Sequence, residues 1–115
     1  MAFRISARAR RDLDKILRYS LAEYGRDAAD RYELLLTTAM REIGDQPLLT
    51  GSRPVRRRPG VYSYSISHTR LRLPREQRVR NPAHQVVYRL ADDGIVEILG
   101  IVGDSYPAAR VLSPR

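Results

Sequence analysis

Apolar positions recur with a helical period over the first part of the chain. A short apolar start, Phe3–Ile5, predicts a strand, and Ser6 is a suitable N-cap for a helix that follows it. Gly25 is predicted to end this helix, because glycine readily adopts the conformation of a C-cap. The inner face of the helix follows the spacing i, i+3, i+4, i+7, i+8, i+11 and consists of Leu13, Ile16, Leu17, Ser20, Leu21 and Tyr24.

A second amphipathic helix is predicted directly after Gly25. Asp27 is a suitable N-cap, and Asp30 adds negative charge near the positive end of the helix dipole. Leu34 and Leu35 widen the apolar face, and Gly44 and Pro47 mark the end. So short a connection predicts that the two helices lie antiparallel. The apolar face itself consists of Ala29, Tyr32, Leu36, Ala39, Met40 and Ile43.

The remainder of the chain has the pattern of strands and loops. Residues 48–60 are rich in Gly, Pro and Ser and predict a loop. Over 61–67, Tyr62, Tyr64 and Ile66 alternate with serines, as in a half-buried strand. Residues 85–90 and 95–102 predict two more strands joined by a turn at 91–94, the second of them central and covered on both faces. The predicted order βααβββ is an α+β fold, with a helical hairpin packed on a small, mainly antiparallel sheet.

Two further segments have a distinct composition. Residues 69–82 contain five arginines and one acid, Glu76, so we expect a long hairpin loop that is too basic to pack in a core, and its order stays open. The tail at 103–115 is expected to form one short helical turn and then to fray. The length of 115 residues predicts a single domain spanning 1–115.

Charge narrows the range of partners. The chain has a net charge of +8, and Lys15 is its only lysine. A GC-rich genome explains arginine in place of lysine, but it does not explain the excess of positive charge. That excess points to an acidic protein or a nucleic acid as partner.

Several classes of protein are excluded or disfavoured. The absence of cysteine excludes disulfides and thiolate zinc sites, and two histidines, His68 and His84, are too few for a metal cluster, so we expect no metal and no cofactor. No segment approaches the roughly 18 apolar residues that span a bilayer. The first residues lack the apolar region of a signal peptide, so a cytoplasmic protein is expected.

Several local sequences, in this order, resemble the ParE/RelE superfamily of toxins, and in particular its ParE branch. Residues 5–16 (ISARARRDLDKI) are similar to the family's strand-to-helix start, S-x-x-A-x-x-D-L-x-x-I. Residues 27–32 resemble the second-helix start, 58–60 the end of the family's basic loop, and 86–89 (VVYR) and 94–102 its last strands. Residues 104–112 (DSYPAARVL) resemble the ParE ending. The chain departs from the family at Gly100, Val102, Gly103 and Val111, and its loop at 69–82 is longer.

The resemblance implies the toxin of a type II toxin–antitoxin system that inhibits DNA gyrase. Such a toxin binds gyrase, alone or with its DNA, and a co-expressed acidic antitoxin of the ParD type neutralises it in a hetero-oligomer. The tail residues Tyr106, Arg110 and Leu112 are expected to carry toxicity, and Arg56, Arg57, Arg58 and Arg72, with Arg53 and Arg70, are candidates for the target-binding surface. Leu34, Leu35 and Arg89 are candidates for antitoxin binding, although both leucines equally fit a wider core stripe.

Two alternatives remain open. A ribosome-dependent endoribonuclease of the RelE type needs an acid, a base and a cation at the scissile phosphate. Arg89 could bind the phosphate, and Tyr106 or His84 could donate a proton, but each also fits an ordinary strand or surface position. A non-toxic binding module or nucleic-acid-binding protein is the third possibility. We therefore expect a protein that acts by binding, and an endoribonuclease if it is an enzyme.

Overall fold

A helical hairpin follows the first strand, as predicted. The computed structural model describes residues 3–112. Strand β1 (Phe3–Ile5) leads to helix α1 (Ala7–Tyr24), whose N-cap Ser6 accepts a hydrogen bond from the backbone of Ala9 at 3.1 Å. A single residue, Gly25, separates α1 from helix α2 (Arg26–Asp45).

The start of α2 differs from the prediction. Gly25, with a φ of 92°, is both the last cap of α1 and the N-cap of α2, and its carbonyl accepts from Ala29. Asp27 therefore lies inside the first turn of α2 rather than at its N-cap. A carboxylate there still complements the helix dipole. The tight reversal holds the two helices against each other.

Within residues 3–112 the sheet has five strands rather than the four predicted. The strands after α2 are β2 (Arg53–Pro54), β3 (Val61–Ser65), β4 (His84–Leu90) and β5 (Val96–Gly103). The strand order is β1-β5-β4-β3-β2, and of these five strands only β1 pairs in parallel, with β5. The additional strand, β2, lies within the segment predicted as a loop, and β3 ends at Ser65 instead of Ser67.

A β-bulge in β5 shifts the alternation of its side chains between the two faces of the sheet by one residue. Val87 pairs with Gly100 and Tyr88 with Ile98, so Leu99 is the extra residue. Before the bulge, Val96 and Ile98 face the helices, and after it Val102 faces the opposite side. Strand β5 therefore has apolar packing on both faces, as its sequence predicted.

Two apolar clusters lie on opposite faces of the sheet. The inner cluster, between the sheet and the helices, includes Tyr64 and Tyr88, both fully buried. The outer cluster consists of five valines and is covered by a 3₁₀ helix (Ala108–Leu112) near the C-terminus. These valines are Val55, Val61, Val87, Val102 and Val111.

The basic segment after β3 is more structured than expected. It contains helix α3 (Ser67–Arg70) and a 3₁₀ helix (Arg75–Gln77). Thr69 and Leu73 are buried, so this segment does contribute to the core. The prediction of a loop outside the core was therefore wrong.

Candidate functional site

The arginine turn and the C-terminal 3₁₀ helix lie on the same side of the sheet. The arginine turn comprises Arg56, Arg57 and Arg58 and joins β2 to β3. Val55 and Val61, at its two ends, pack in the outer cluster with Val111 of the 3₁₀ helix. We refer to residues 53–61 and 104–112 together as the outer surface. It holds seven of the nine candidates for target binding and toxicity, including Tyr106, Arg110 and Leu112, all three of which are exposed.

Two consecutive β-turns form the arginine turn. The backbone N–H of Arg58 donates to the carbonyl of Val55 at 3.1 Å, and that of Val61 donates to Arg58 at 3.0 Å. Arg57 is the third residue of the first turn and has a φ of 62°. Glycine or asparagine is usual at such a position, and a long side chain there costs on the order of 1 kcal/mol. The turn thus holds an arginine in a strained conformation on the surface.

Contacts with three elements fix the C-terminal segment. The amide of Gln85 donates to the carbonyl oxygens of Gly103 at 3.0 Å and Tyr106 at 2.9 Å. Arg8 on α1 donates to the carbonyl of Val111 at 3.2 Å. The methyl groups of Val111 pack over Gly100, where a Cβ atom would lie 2.8 Å from Val111 Cγ1. The absence of a side chain at Gly100 therefore makes room for the segment.

Arg72, selected from the sequence as a target-binding residue, does not belong to the outer surface. Its guanidinium forms two hydrogen bonds with the carboxylate of Glu42 on α2, at 2.7 and 2.8 Å, and donates to the hydroxyl of Tyr64 at 2.8 Å. Thr69 donates to the same carboxylate at 2.8 Å. The hydrogen bonds from Arg72 lower the pKa of Glu42. Arg72 therefore attaches the basic segment to α2.

Two other arginines of this segment are bound to its own backbone. Arg70 Nε donates to the carbonyl of Val79 at 2.5 Å. Arg78 donates to the carbonyls of Leu73 at 3.0 Å and Leu71 at 3.1 Å. These bonds explain how so basic a segment is ordered, since each guanidinium supplies donors to carbonyls outside regular secondary structure.

A groove of about 700 Å³ lies between the helical hairpin and the basic segment. Its lining combines aromatic and cationic side chains, including Tyr19, Tyr24, Arg31, Arg78 and Arg80, with Glu76 as its one carboxylate. The α1 stripe is not fully covered at its end: Tyr24, which lines the groove, is 69% exposed, and Leu21, outside the groove lining, is 44% exposed. The prediction that the whole stripe faces the core is therefore wrong for its last turn, and an apolar helix face is left open to a partner.

A tyrosine–histidine pair lies at the wall of this groove. The hydroxyl of Tyr32 accepts from the backbone N–H of Ala83 at 3.2 Å and is 2.5 Å from Nδ1 of His84. Burial raises the pKa of Tyr32 and lowers the pKa of His84. Both groups are thus held neutral, with the hydroxyl hydrogen available to Nδ1.

Arg89, the candidate phosphate-binding residue for RNA cleavage, lies apart from the candidate proton donor His84. His84 and Arg89 are five residues apart on β4, which corresponds to about 17 Å along a strand. Arg89 forms an ion pair with Glu97 at 2.7 Å, and Tyr106 belongs to the outer surface. In the part of the chain that the structure covers, no group of three His, Asp or Glu side chains could hold a metal ion. No helix within residues 3–112 has the length and apolarity to cross a membrane.

The predicted antitoxin-binding residues are dispersed. Leu35 is fully buried and belongs to the core, which agrees with the alternative that it widens the core stripe, and Leu34 is half-buried against the same cluster. Arg89 is exposed but paired with Glu97. None of the three lines the groove. The groove was not predicted from the sequence. The sequence feature that pointed to it was Tyr19, an aromatic residue that lies outside the apolar stripe of α1.

Comparisons with known proteins agree with this architecture. The family model described as "ParE toxin of type II toxin-antitoxin system, parDE" matches residues 3–105. The comparison with curated proteins found no significant match. Among solved structures, the chromosomal ParDE toxin–antitoxin system from P. aeruginosa is similar, with a TM-score of 0.65 and 16% identity over 90% of this chain and 95% of that one. The RelBE2 toxin–antitoxin complex from Mycobacterium tuberculosis gives a TM-score of 0.52 and 23% identity over 89% and 95% of the two chains. At these identities the likeness concerns the fold.

Proposed function

Because this chain belongs to the ParE toxin family of type II toxin–antitoxin systems, we propose that it inhibits DNA gyrase in the cytoplasm by binding rather than by catalysis. One observation carries the choice between target binding and RNA cleavage. The target-binding candidates, apart from Arg70 and Arg72, share one surface, whereas Arg89, the phosphate-binding candidate for RNA cleavage, lies along β4 from His84 and is paired with Glu97. An inhibitor of this kind needs a binding surface and no catalytic set.

Two assays with purified protein test this proposal. With gyrase and supercoiled plasmid, we expect linear DNA to accumulate after denaturation of the enzyme, because a trapped cleavage complex releases broken DNA. With ribosomes and messenger RNA, we expect no cleavage. If messenger RNA is cut and gyrase is unaffected, the proposal is wrong and the RelE-type alternative holds.

The groove is the proposed binding site for the antitoxin. Its lining carries three arginines against one carboxylate, beside the uncovered last turn of α1. An acidic amphipathic helix fits such a surface, with its apolar side chains against Tyr19 and Tyr24 and its carboxylates near the arginines. The solved relatives are themselves complexes of a toxin with its antitoxin, which supports a partner of this kind.

Exposed tyrosines allow a direct test. The double variant Tyr19→Ser, Tyr24→Ser removes two aromatic side chains that are 61% and 69% exposed. Its affinity for the proposed acidic antitoxin should fall tenfold or more by calorimetric titration, since aromatic residues carry much of the binding energy at interfaces. The control Leu48→Ser, at a position 67% exposed and outside the groove, should leave the affinity within about twofold. Equal effects of the two variants would place the antitoxin elsewhere.

A further inference from the structure

Six arginines within residues 3–112 have side-chain partners in the protein. Arg4, Arg8, Arg72 and Arg89 form ion pairs with carboxylates, and Arg70 and Arg78 bind backbone carbonyls. The four arginines of the β2–β3 hairpin have no side-chain hydrogen bond or ion pair within the described residues 3–112. These four are Arg53, Arg56, Arg57 and Arg58.

The hairpin lies in a long stretch of sequence without acidic residues. No Asp or Glu occurs between Asp45 and Glu76 in the sequence. Arg58 is half-buried, and its Nε atom is buried without an acceptor in the described part of the chain. A buried donor without a partner is rare and unfavourable. The hairpin therefore concentrates positive charge whose hydrogen-bonding capacity the protein itself leaves unused.

The backbone of the hairpin displays these side chains on a rigid turn. The strained φ of 62° at Arg57 is maintained by the two turn hydrogen bonds and by the burial of Val55 and Val61 beneath the turn. Strained residues of this kind persist where the surrounding structure fixes them, and they are common at binding sites. Three successive arginines are thus presented together instead of on a mobile loop.

The hairpin lacks the features of a protein-binding surface. Its two valines are buried, and none of the exposed large apolar residues lies within 51–61. Protein interfaces depend on buried aromatic and aliphatic anchors. The phosphodiester backbone of a nucleic acid needs only cations, and arginine matches phosphate oxygens with its planar fork. Charge without an apolar anchor therefore favours nucleic acid over an acidic protein.

We propose that the β2–β3 hairpin binds the phosphate backbone of double-stranded DNA directly. The choice of DNA rests on the proposed function, because gyrase holds duplex DNA beside any inhibitor bound at its cleavage site. The hairpin then contributes cations to the trapped complex, and Arg110, which precedes Val111 of the same cluster, extends the cationic surface.

A charge-matched pair of variants tests this proposal. The hairpin variant carries Arg53→Gln, Arg56→Gln and Arg57→Asn. It retains Arg58, whose Nε is buried, and asparagine tolerates the positive φ at 57. The control carries Arg10→Gln, Arg11→Gln and Arg18→Gln on α1, three exposed arginines for which the described chain offers no partner. Both variants lose three positive charges, and circular dichroism verifies that both are folded.

Binding is measured by fluorescence anisotropy of a labelled 20-base-pair duplex, without gyrase, as a function of salt. The hairpin variant should bind tenfold or more weakly at low salt, and its log–log salt slope should fall by about 3, close to one unit for each lost phosphate contact. The control should stay within about threefold of the wild type, and polyglutamate should bind at least tenfold more weakly than DNA.

Three results would overturn the proposal: no binding of DNA, an equal loss in both variants, or polyglutamate bound as tightly as DNA. The gyrase assay separates this proposal from the proposed function. Plasmid cleavage without direct DNA binding refutes only the hairpin proposal. Hairpin-dependent DNA binding without gyrase inhibition refutes only gyrase as the target.

Discussion

The contact between Gly100 and Val111 gives a quantitative test of how the C-terminal segment is held. A Cβ at position 100 would lie 2.8 Å from Val111 Cγ1 and 3.3 Å from the carboxylate of Asp12. The first distance is shorter than real Cβ contacts, so Gly100→Ala must displace the segment. Overpacking of this kind costs about 1–3 kcal/mol, and the lower chain entropy of alanine returns about 0.4–1 kcal/mol. We expect a net loss of about 1–2 kcal/mol.

Val111→Ala removes two methyl groups from a side chain that is 7% exposed. The lost burial and the cavity left behind amount to about 2 kcal/mol. In the double variant the two effects overlap, because the methyl groups that clash are gone and the new Cβ fills part of their space. The double variant should therefore be no less stable than Val111→Ala alone, which gives a favourable coupling of about 1–2 kcal/mol.

Urea unfolding of the wild type, both single variants and the double variant measures this cycle. Gly103→Ala is the matched control on the same strand, since a Cβ there meets only the Ala83 carbonyl, at 3.9 Å. It should leave the protein as stable as the wild type or more stable by up to about 1 kcal/mol, because the gain in chain entropy is then unopposed. If the effects of the two single substitutions add to within about 0.5 kcal/mol in the double variant, Val111 does not pack on Gly100 and the reasoning is refuted.

Three further predictions concern the polar groups. Arg72→Met should lower the free energy of unfolding by about 1 kcal/mol in urea titrations, a modest value because the guanidinium is half exposed and screened by water. Because the folded pKa of Glu42 is lowered, its ion pair should stabilise the protein above about pH 4.5 and lose that contribution as the pH falls further. In Arg72→Met, the free energy of unfolding measured between pH 3 and 5 should therefore depend less steeply on pH than in the wild type. An equally steep pH dependence in the two proteins would contradict the pairing. Because the folded pKa of His84 is lowered, the unfolded chain binds more protons, so stability should decrease as the pH drops below about 6.5; His84→Gln should remove this dependence in thermal unfolding between pH 7.5 and 5.

Periodic features of the fold could be predicted from the sequence. In a helix or strand packed on a core, buried positions repeat with the period of that element, and the apolar residues of the sequence repeat with them. The helical stripes and the alternation around Tyr64 therefore located both helices and three of the strands that follow. Strand β2 could not be found in this way. It has only two residues, one of them proline, and it exists because its partner β3 is already in place.

The order of the basic segment depends on long-range contacts that leave no periodic signal. Arg72 and Glu42 are 30 residues apart, and nothing in the local sequence of either indicates the other. The same holds for the groove, which forms only when residues 76–84 lie against the end of α1. Composition identified the excess of arginine, but only the structure separates the paired arginines from the free ones.

Gly100 and Val111, two positions at which the chain departs from the family's sequence pattern, are explained by their contact with each other. Each differs from the pattern to which the chain was compared, and in the structure the missing side chain at Gly100 accommodates the methyl groups of Val111. The two positions therefore form one packing solution for the C-terminal segment. This segment in turn sets the position of Tyr106 and Arg110 on the outer surface.

Hydrogen exchange with mass spectrometry, on the toxin alone and with gyrase and plasmid DNA, tests most directly which surface meets the target. Our account predicts protection of residues 53–61 and 104–112 on addition of gyrase and DNA, with the groove at residues 76–84 unchanged. Protection confined to the groove, with the arginine turn and the C-terminal segment exchanging as in the free protein, would contradict it.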